Sequence, residues 1–427
     1  MNYNILLSVF GLDPNDFKPA VSDPYENNGT ITMMCEQRTD INRICPFCLS
    51  TKIVIKDYDE VILRATINAN QKSELLVRKV RFKCKNCLKT FTPKLNGILK
   101  GESITSNVKK MLYLDFQKKI SFSSLAALYN MSVTQVINTF DELYPVVYRG
   151  AFGKVLCIDE FHFSQDIDQN YCCGIVDFEK KELIDIIKNR RKEYLDSYFS
   201  QIDKNELNKV QYFISDLYDE YALIRKKYFS NAIHIADRFH ITTQLTRAIN
   251  KRRNIVMKQC KNTHPILNAF MKKNWELFEV KKDRIPNKFY KSSRTELIYS
   301  YETLLYESLK LDYSLNVAYF SLQDLLISSY KKSDVELENF FIKLADRLIS
   351  TNDDEFIKVG KTYKKWLPQI VNAYKHESVV RKYTNAIAES LNNTVKTLIK
   401  ISYGLINFER MRKRVLIITR NHKKEST

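Results

Sequence analysis

Two Cys-x-x-Cys pairs constrain the fold of the N-terminal part of this chain more than any other feature. They are Cys45-Pro-Phe-Cys48 and Cys84-Lys-Asn-Cys87, with 35 residues between them. Each pair presents two thiolates from one tight turn, and two such turns close a tetrahedral four-thiolate site. Because four thiolates leave no open position on the metal, the spacing predicts a zinc ribbon with a structural Zn²⁺. Free cysteines in tight turns are the alternative.

The segment between the pairs, residues 53–67, alternates apolar and polar residues and is predicted to form a hairpin. Basic side chains crowd the second pair, among them Arg81, Lys83 and Lys85. A solvated charged face would look the same, but beside a rigid metal module these cations favour contact with phosphate groups. The other cysteines are scattered and are predicted to be core thiols: Cys35, Cys157, Cys172, Cys173 and Cys260.

The balance of charge favours a polyanionic partner. The 427 residues include 68 Lys and Arg against 49 Asp and Glu, a formal net charge of +19. Phosphate neutralisation and counterion release would then supply non-specific affinity for nucleic acid. A low-GC genome, which enriches Lys with Asn, Ile and Tyr, is the alternative. No stretch approaches the ~18 to 20 apolar residues of a membrane span, and no signal peptide is recognisable, so we expect a soluble cytoplasmic protein.

Three short helices are predicted after the second cysteine pair: 106–119, 121–130 and 132–144. Serines stand where they can cap the second and third helices, and the break falls at Asn130. The arrangement resembles a helix-turn-helix, although a small helical bundle could produce the same pattern. In a helix-turn-helix the second helix would offer Thr134, Gln135 and Asn138 to a major groove.

From Lys154 the residue pattern changes from helical to β. Three β-like runs at hairpin distances, 155–159, 171–178 and 182–188, lead into alternating helical and β segments. A meander followed by such alternation predicts a mixed α/β sheet. Residues 238–380 read as almost wholly helical, without strand signals, and are interpreted as an insertion. Two final helices are predicted to return and complete the sheet domain: 384–400 and 405–420.

Three acids at separate places in the chain are candidate metal ligands. Asp159 closes the run VLCID, Asp216 closes QYFISD, and Glu389 lies on a predicted helix far downstream. Adjacent parallel strands deliver side chains to one crevice, and clustered carboxylates repel unless cations neutralise them. The pattern predicts a pair of Mg²⁺ or Mn²⁺ ions, which can clamp the attacking and leaving oxygens of a phosphodiester displacement. A turn-forming Asp at either strand end is the alternative.

Asp237 and His240 are further candidates for this site. Their spacing puts both on one face at the start of a helix, where the imidazole could orient an acid or touch a phosphate. A helix-capping Asp beside a half-buried His is the alternative.

The predicted insertion has a basic block. Residues 247–294 contain fourteen Lys or Arg and three acids. Lys251, Arg252 and Arg253 stand with aromatic residues in this block, a mixture typical of surfaces that bind DNA. Trp275 is interpreted as a packing residue rather than one that stacks on bases.

These features together resemble the bacterial insertion-sequence transposases, and among them the DDE family called ISL-three, from about Cys45 to Arg414. The matching strings include IDEFHF (158–163), SDLYDEY (215–221), NAIHIADRFHI (231–241) and, after an ExxN motif, SYGLINFERMRKR (402–414). The resemblance implies a ribonuclease H-like catalytic fold with Asp159, Asp216 and Glu389 as the metal-binding triad. It also implies that Asp237 and His240 form an Asp-x-x-His element.

The fold expected from pattern and resemblance is multidomain α/β, with a ribonuclease H-like mixed sheet interrupted by a large all-helical insertion. The predicted domains are an N-terminal segment (1–35), a zinc ribbon (36–98), a helix-turn-helix (99–148), a catalytic domain (150–240 and 381–427) and a helical insertion (241–380).

The resemblance implies a DNA transposase that cleaves at the terminal inverted repeats of an insertion sequence and joins the ends to target DNA. The expected partner is double-stranded DNA, and the expected active form is a homodimer or larger assembly on that DNA, at the bacterial nucleoid. Two alternatives stay open, a non-catalytic DNA-binding protein derived from a transposase and a metal-dependent nuclease of the same fold. Retention of all three acids argues against the first.

Overall fold

A computed structural model describes the chain except at these residues: 1–2, 21–23, 40–42, 66–71, 99–102, 164–170, 292–296, 328–332, 376–385, 402–406 and 425–427. Some further side chains also lie outside the description: those of Tyr3, Leu6, Ala386, Glu389 and residues 422–424. The chain divides into two compact units. Unit 1 comprises Met1–Tyr148 and Thr397–Thr427, and unit 2 comprises Arg149–Lys396.

Unit 1 begins with one helix and a six-stranded sheet: α1 (Tyr3–Val9), β1 (Phe17–Pro19), β2 (Tyr25–Asn27), β3 (Thr30–Gln37), β4 (Ile53–Arg64), β5 (Lys72–Cys84) and β6 (Thr90–Phe91). The order is β1-β3-β5-β4, with β2 beside β3 and β6 beside β5. Residues 53–67 were predicted to form a hairpin by themselves, and this was wrong. Residues 53–64 form a single strand, because they pair with β5 along their whole length.

The N-terminal segment is part of the same sheet rather than separate from it. β3 runs parallel to β5, and Phe17 and Met33 are buried with Leu75 and Val77 in one hydrophobic cluster. Alternate residues of β5 supply the inner face of the sheet, as a strand with one buried face requires.

Three helices follow and form what we call the three-helix group: α2 (Ser106–Asp115), α3 (Phe122–Leu128) and α4 (Val133–Leu143). Ser121 caps α3 and Ser132 caps α4, each by accepting a hydrogen bond from a backbone amide of the first turn. The Gln135 side chain accepts in return from the Ser132 backbone amide at 3.0 Å, which completes a capping box. Phe116 and Phe140 pack edge to face at the centre of the group.

A five-stranded sheet organises unit 2: β7 (Val155–His162), β8 (Tyr171–Asp177), β9 (Glu182–Ile187), β10 (Tyr212–Ser215) and β11 (Ile233–Ala236). Its order is β11-β10-β7-β8-β9. Strands β7, β8 and β9 form an antiparallel meander, whereas β10 runs parallel to both β7 and β11. The predicted mixed α/β sheet is confirmed.

Three helices accompany the strands of this sheet: α5 (Lys192–Phe199), α6 (Lys204–Leu207) and α7 (Asp219–Tyr228). Leu195 and Phe199 of α5 and Tyr221 of α7 are buried in one cluster with strand residues such as Ile158 and Phe213. This cluster fills one face of the sheet.

The middle of unit 2 is mainly helical: α8 (Arg238–Gln259), α9 (Pro265–Lys273), α10 (Tyr301–Lys310), α11 (Tyr313–Ile327), α12 (Asp334–Ile349), α13 (Asp354–Lys365) and α14 (Leu367–Lys375). The prediction of no strands here was wrong, since β12 (Phe289–Lys291) and β13 (Ile298–Ser300) form a two-stranded antiparallel sheet. The long helix α8 contacts α9, α11 and α13. Over the described part of the chain, no helix is both long and apolar enough to cross a bilayer.

Two helices end the chain, α15 (Ala386–Ile401) and α16 (Phe408–Lys424). Helix α16 packs on the three-helix group, with Ile417 in that group's core and Arg410 paired with Asp141 at 2.8 Å. The residues from Thr397 onward therefore group with unit 1, whereas the predicted catalytic domain included all of 381–427. The grouping follows from the apolar face and the arginines of α16.

Arg414 is the most deeply enclosed of these arginines, with an exposed fraction of 2%. Its guanidinium lies over the ring of Phe122, 4.6 Å from the centroid, and donates to the carbonyls of Lys118 and Ile120. Burial lowers the pKa of this guanidinium to about 10.

We expect Arg414→Ala to lower the free energy of unfolding by about 2 to 4 kcal/mol, since it removes a cation stacked on rings and leaves a cavity and carbonyls without a donor. Arg414→Met should recover part of the loss by filling the volume. Urea unfolding of the full chain, followed by circular dichroism, measures both. An Arg414→Ala variant as stable as the wild type would contradict the assigned packing role.

Candidate functional site

The site forms where two parallel strands of unit 2 lie side by side. Strand β7 continues to His162, so Asp159 lies within the strand and not at its end as predicted. Its neighbour β10 ends at Ser215, and Asp216 follows directly. The parallel pairing of β7 with β10 brings the two carboxylates to one edge of the sheet.

Asp159, Asp216 and His240 form one cluster. Each offers an oxygen or nitrogen atom that lies within 4.8 Å of the other two, so the three side chains could hold a metal ion. The Nε2 atom of His240 lies 3.0 Å from Oδ1 of Asp216. His240 reaches this position because α8 begins at Arg238, directly after β11 and two residues before the histidine.

Asp237 caps helix α8 and borders the cluster. Its Oδ1 accepts a hydrogen bond from the Phe239 backbone amide at 3.3 Å, and its Oδ2 lies 3.7 Å from Nε2 of His240. The capping alternative considered for Asp237 therefore describes its local structure, while its second oxygen faces the histidine.

Burial and repulsion make the cluster unfavourable for unneutralised carboxylates. Burial raises the pKa of the Asp159 carboxyl to about 7, and the charge of Asp216 adds to the effect. Burial acts to lower the pKa of His240, but its hydrogen bond to Asp216 and the surrounding carboxylates outweigh burial and hold that pKa above its ordinary value. A cation among these groups would offset both the desolvation and the repulsion.

Asn392 joins helix α15 to the cluster. The Asn392 side-chain amide, 2% exposed, donates to Oδ2 of Asp159 at 2.7 Å, while Oδ1 of Asp159 accepts from the Glu160 backbone amide at 2.8 Å. Gly174 faces Asp159 across the β7–β8 pair, and a Cβ atom there would lie 3.2 Å from the Asn392 oxygen. The glycine thus leaves room for Asn392.

Glu389 also lies on α15, three residues before Asn392. Its side chain lies outside the described residues, so its predicted role as a third ligand stays a prediction.

A second network lies beside the site and was not foreseen from the sequence. Glu160 is paired with Arg190 at 2.6 Å and accepts from the Tyr221 hydroxyl at 3.0 Å. Because neighbouring strand residues point to opposite faces, Glu160 faces the buried cluster while Asp159 faces Asn392. Of the two acids in IDEFHF, Asp159 therefore belongs to the candidate site, whereas Glu160 has a structural role in the network with Arg190 and Tyr221.

The four cysteines of unit 1 also converge. The Sγ atoms of Cys45 and Cys87 are 3.6 Å apart, as are those of Cys48 and Cys84, and together they could hold a metal ion. Backbone hydrogen bonds, that from Cys87 foremost, lower the pKa of the Cys84 thiol to about 6. The backbone hydrogen bond from Lys89 acts to lower the pKa of the Cys87 thiol, but burial and the three neighbouring thiols outweigh it and raise that pKa to about 11. The predicted core thiols are buried: Cys35, Cys157, Cys172, Cys173 and Cys260.

Most candidate DNA contacts in unit 1 are exposed: Arg81, Lys83, Lys85, Thr134 and Asn138. Gln135 differs, because its side chain forms the capping box and donates to the Ser103 hydroxyl at 3.2 Å. Its predicted base contact would require that cap to open.

Lys251, Arg252 and Arg253 of α8, which we call the basic triplet, lie in three different environments. Lys251 is exposed and paired with Glu355. Arg252 is paired with Asp312 and also with Asp353 at 3.3 Å. Arg253 is 6% exposed and donates to the Met271 carbonyl at 2.6 Å. The burial of Arg253 argues against its predicted DNA contact.

Trp275 is 42% exposed, which differs from its interpretation as a packing residue. The sequence reasoning also did not assign a contact to Asn392. The signal that could have found this residue is its spacing in ExxN, because positions i and i+3 lie on one helix face.

Comparison with known proteins identifies a family for this chain. A family model described as a transposase, of the DDE class and the ISL-three family, matches residues 156–415, which is more than half of the chain. The match includes both aspartates of the cluster and helix α15. No curated protein was found to match the chain.

We expect Asn392→Ala to weaken binding of Mn²⁺ at the carboxylate cluster by roughly tenfold or more, because partners that orient a metal ligand contribute on this scale. Titration of Mn²⁺ followed by electron paramagnetic resonance measures the affinity. Asn393→Ala, which removes the adjacent exposed amide, is the matched control. Equal affinity in the Asn392→Ala variant and the wild type would show that Asn392 does not orient Asp159.

Proposed function

The chain belongs to the ISL-three family of DDE transposases, and from this premise we propose that it cleaves DNA at the ends of an insertion sequence and joins those ends to target DNA. Family membership itself implies action on DNA. The observation that supports cleavage and joining is that Asp159 and Asp216 lie together near the carboxyl ends of neighbouring strands. The Asn392 side chain also donates a hydrogen bond to Asp159.

The sheet of unit 2 supports a ribonuclease H-like catalytic fold. When its strands are numbered 1 to 5 in chain order, from β7 to β11, their order across the sheet is 3-2-1-4-5. Strands 1, 2 and 3 are antiparallel, whereas strands 1, 4 and 5 are parallel. The acids of the proposed site lie on strand 1 and directly after strand 4. The helical region from α8 to α14 then separates these strands from α15.

Asp159 and Asp216 would hold one divalent cation, and Glu389 would help to hold a second. Three features support a cation: the Asp159 and Asp216 carboxylates within 4.8 Å of each other, the raised pKa of the buried Asp159, and oxygen ligands of the kind that Mg²⁺ and Mn²⁺ prefer. Asn392 supports Glu389 as the third acid, since residues three apart on a helix share a face. His240 offers nitrogen, a poorer ligand for Mg²⁺, so we assign it to orienting Asp216 or contacting a phosphate.

Two in-line displacements would follow. A water attacks the phosphodiester at the element end, the P–O bond to the 3′-oxygen breaks, and that oxygen leaves as a 3′-hydroxyl. The 3′-hydroxyl then attacks a target phosphodiester, which releases a new target 3′-hydroxyl. Divalent cations would supply the charge stabilisation of the attacking and leaving oxygens. No covalent bond to the protein is needed in either step.

Unit 1 would recognise the terminal inverted repeats. The three-helix group would act as a helix-turn-helix, with α4 offering Thr134 and Asn138 to the major groove. The exposed side chains of Arg81, Lys83 and Lys85 would contact phosphates. A synapse of two element ends would require a homodimer or larger assembly, acting on bacterial chromosomal DNA.

The cysteine site would hold structural Zn²⁺. With Zn–S bonds of about 2.3 Å, a tetrahedral ion separates its sulfur ligands by about 3.8 Å. The Sγ separations of 3.6 Å on both sides of the site are close to that value.

Asp216→Asn and Glu389→Gln should each abolish cleavage and joining while DNA binding persists, since each removes a proposed metal ligand without changing the recognition unit. The test incubates the full chain with labelled terminal-repeat DNA, target DNA and Mg²⁺. Asp219→Asn, at an exposed acid three residues away, is the matched control and should stay active.

The products distinguish the three functions left open by the sequence. A transposase gives cleaved and joined DNA, a nuclease gives cleaved DNA alone, and a DNA-binding remnant gives a mobility shift with neither. Cleavage that survives in the Asp216→Asn variant would remove Asp216 from the active site.

Removal of the thiolate-bound metal should unfold the ribbon and weaken terminal-repeat binding while leaving the carboxylate site intact. We expect about one zinc per chain by elemental mass spectrometry, lost in Cys84→Ser. Cys260→Ser, at a buried thiol in unit 2, should retain it. A Cys84→Ser variant with undiminished zinc content would exclude this cysteine as a ligand.

A further inference from the structure

Helix α8 carries a row of polar and basic side chains that starts at the candidate active site. His240, Gln244, Arg247 and Lys251 are spaced by four, three and four residues, which places them on one face of the helix. His240 contacts Asp216, so the row has one end at the reacting groups. From His240 to Lys251 the helix rises about 16 Å.

The far part of this row lines a groove between α8 and α13 with a volume of about 260 Å³. Arg247 and Lys251 form the α8 side, and Lys358 and Thr362 lie on the α13 side. We call this set, with Gln244 and Glu355, the α8 groove. All of its residues belong to unit 2.

The α8 groove carries excess positive charge. Glu355 is its single acid, and it accepts hydrogen bonds from Lys251 at 2.7 Å and from Lys358 at 3.2 Å. The carboxylate thus holds two ammonium groups over the groove. Arg247 is exposed and has no ion-pair partner among the residues that the structure describes.

The other two cations of the basic triplet do not contribute to this surface. Arg252 is engaged by Asp312 and Asp353, and Arg253 is enclosed against the Met271 carbonyl. Their pairing and burial hold the helical region together. Of these three consecutive cations, only Lys251 is exposed, and it lies in the α8 groove.

We propose that the α8 groove binds the sugar-phosphate backbone of the DNA strand that continues from the reacting phosphodiester. This proposal rests on the proposed function and adds a binding site to it. From Arg247 to Lys251 the helix rises about 6 Å, and one strand of B-DNA presents about two phosphates over that length of the duplex axis. Arg247 and Lys251 neutralise phosphates, and Gln244 contributes a neutral donor between them and the site. Backbone contacts of this kind fix register without reading sequence.

The first test measures binding of the full chain to random-sequence duplex DNA over a range of salt concentrations, with Ca²⁺ in place of Mg²⁺. The variant Arg247→Ala with Lys251→Ala should bind about tenfold more weakly, and its slope of log affinity against log salt should fall by about two, one for each lost phosphate contact. Lys343→Ala, at an exposed lysine of α12, should match the wild type. Thermal unfolding checks that each variant is folded.

The second test identifies the source of the bound strand. The double variant Arg247→Ala with Lys251→Ala is tested for both reactions. If it no longer cleaves element ends on DNA with flanking sequence but still joins pre-cut ends, the groove binds flanking DNA. The opposite pattern assigns it to target DNA. Loss of both steps indicates that the groove binds both DNAs, and each of these patterns supports the site.

Wild-type affinity and salt slope in the double variant would overturn the proposal, whatever happens to the chemistry. A wild-type chain that neither cleaves nor joins DNA would instead refute the transposase reaction. In that case the salt slope alone would decide whether the α8 groove binds DNA backbone. The two failures are therefore distinguishable.

Discussion

Two carboxylates, Asp159 and Asp216, with oxygen atoms within 4.8 Å of each other near the partly buried carboxyl ends of two neighbouring strands, impose the constraint on which unit 2 depends. Asp159 is held there by the pairing of β7 with β10, and its pKa is raised because burial and the charge of Asp216 both disfavour ionisation. A protein without use for such a cluster would gain stability by replacing one acid. The surrounding groups orient the acids instead: Asn392 donates to Asp159 and His240 contacts Asp216. The arrangement is therefore one that could hold a metal ion, whose charge would offset the repulsion between the carboxylates.

The same sheet explains why residues so distant in sequence can act together. Asp216 follows β10 directly, β11 lies beside it in parallel, and α8 begins where β11 ends. Residues from Arg238 to Lys375 then form mainly helices, and the chain returns to the sheet at α15. Asn392 shows that this helix reaches β7, since its amide contacts both Asp159 and the Glu160 carbonyl. The helical region thus lengthens the chain between β11 and α15 without separating them from the site, because β11 pairs with β10 and Asn392 holds α15 to β7.

The mixed sheet, the helices around Ser121 and Ser132, and the cluster of four cysteines could be predicted from the sequence. Each depends on a local pattern: hydrophobic periodicity, capping and turn residues, or Cys-x-x-Cys spacing. Contacts between distant segments were not predictable in the same way. The partner of β4 is β5, and α16 joins the three-helix group, because of faces that only tertiary packing defines. The charge of a residue was the weakest guide to whether its side chain is exposed, paired or buried. Lys251, Arg252 and Arg253 are adjacent in sequence, yet one is exposed, one is paired with two aspartates and one is buried.

If the α8 groove binds DNA as proposed, the directions of these three side chains decide which of them can contact it. An α-helix advances about 100° per residue, so three consecutive cations must point in three directions. Only the direction shared with His240 leads along the helix to the carboxylate cluster, and Lys251 and Arg247 lie on that face. Because the helix is rigid, the offset between these cations and His240 is fixed, and a strand bound along them would enter the site in one register. Glu355 holds the ammonium groups of Lys251 and Lys358 over the groove. Phosphate binding would then replace one anionic partner with another, which reduces the ordering that binding requires.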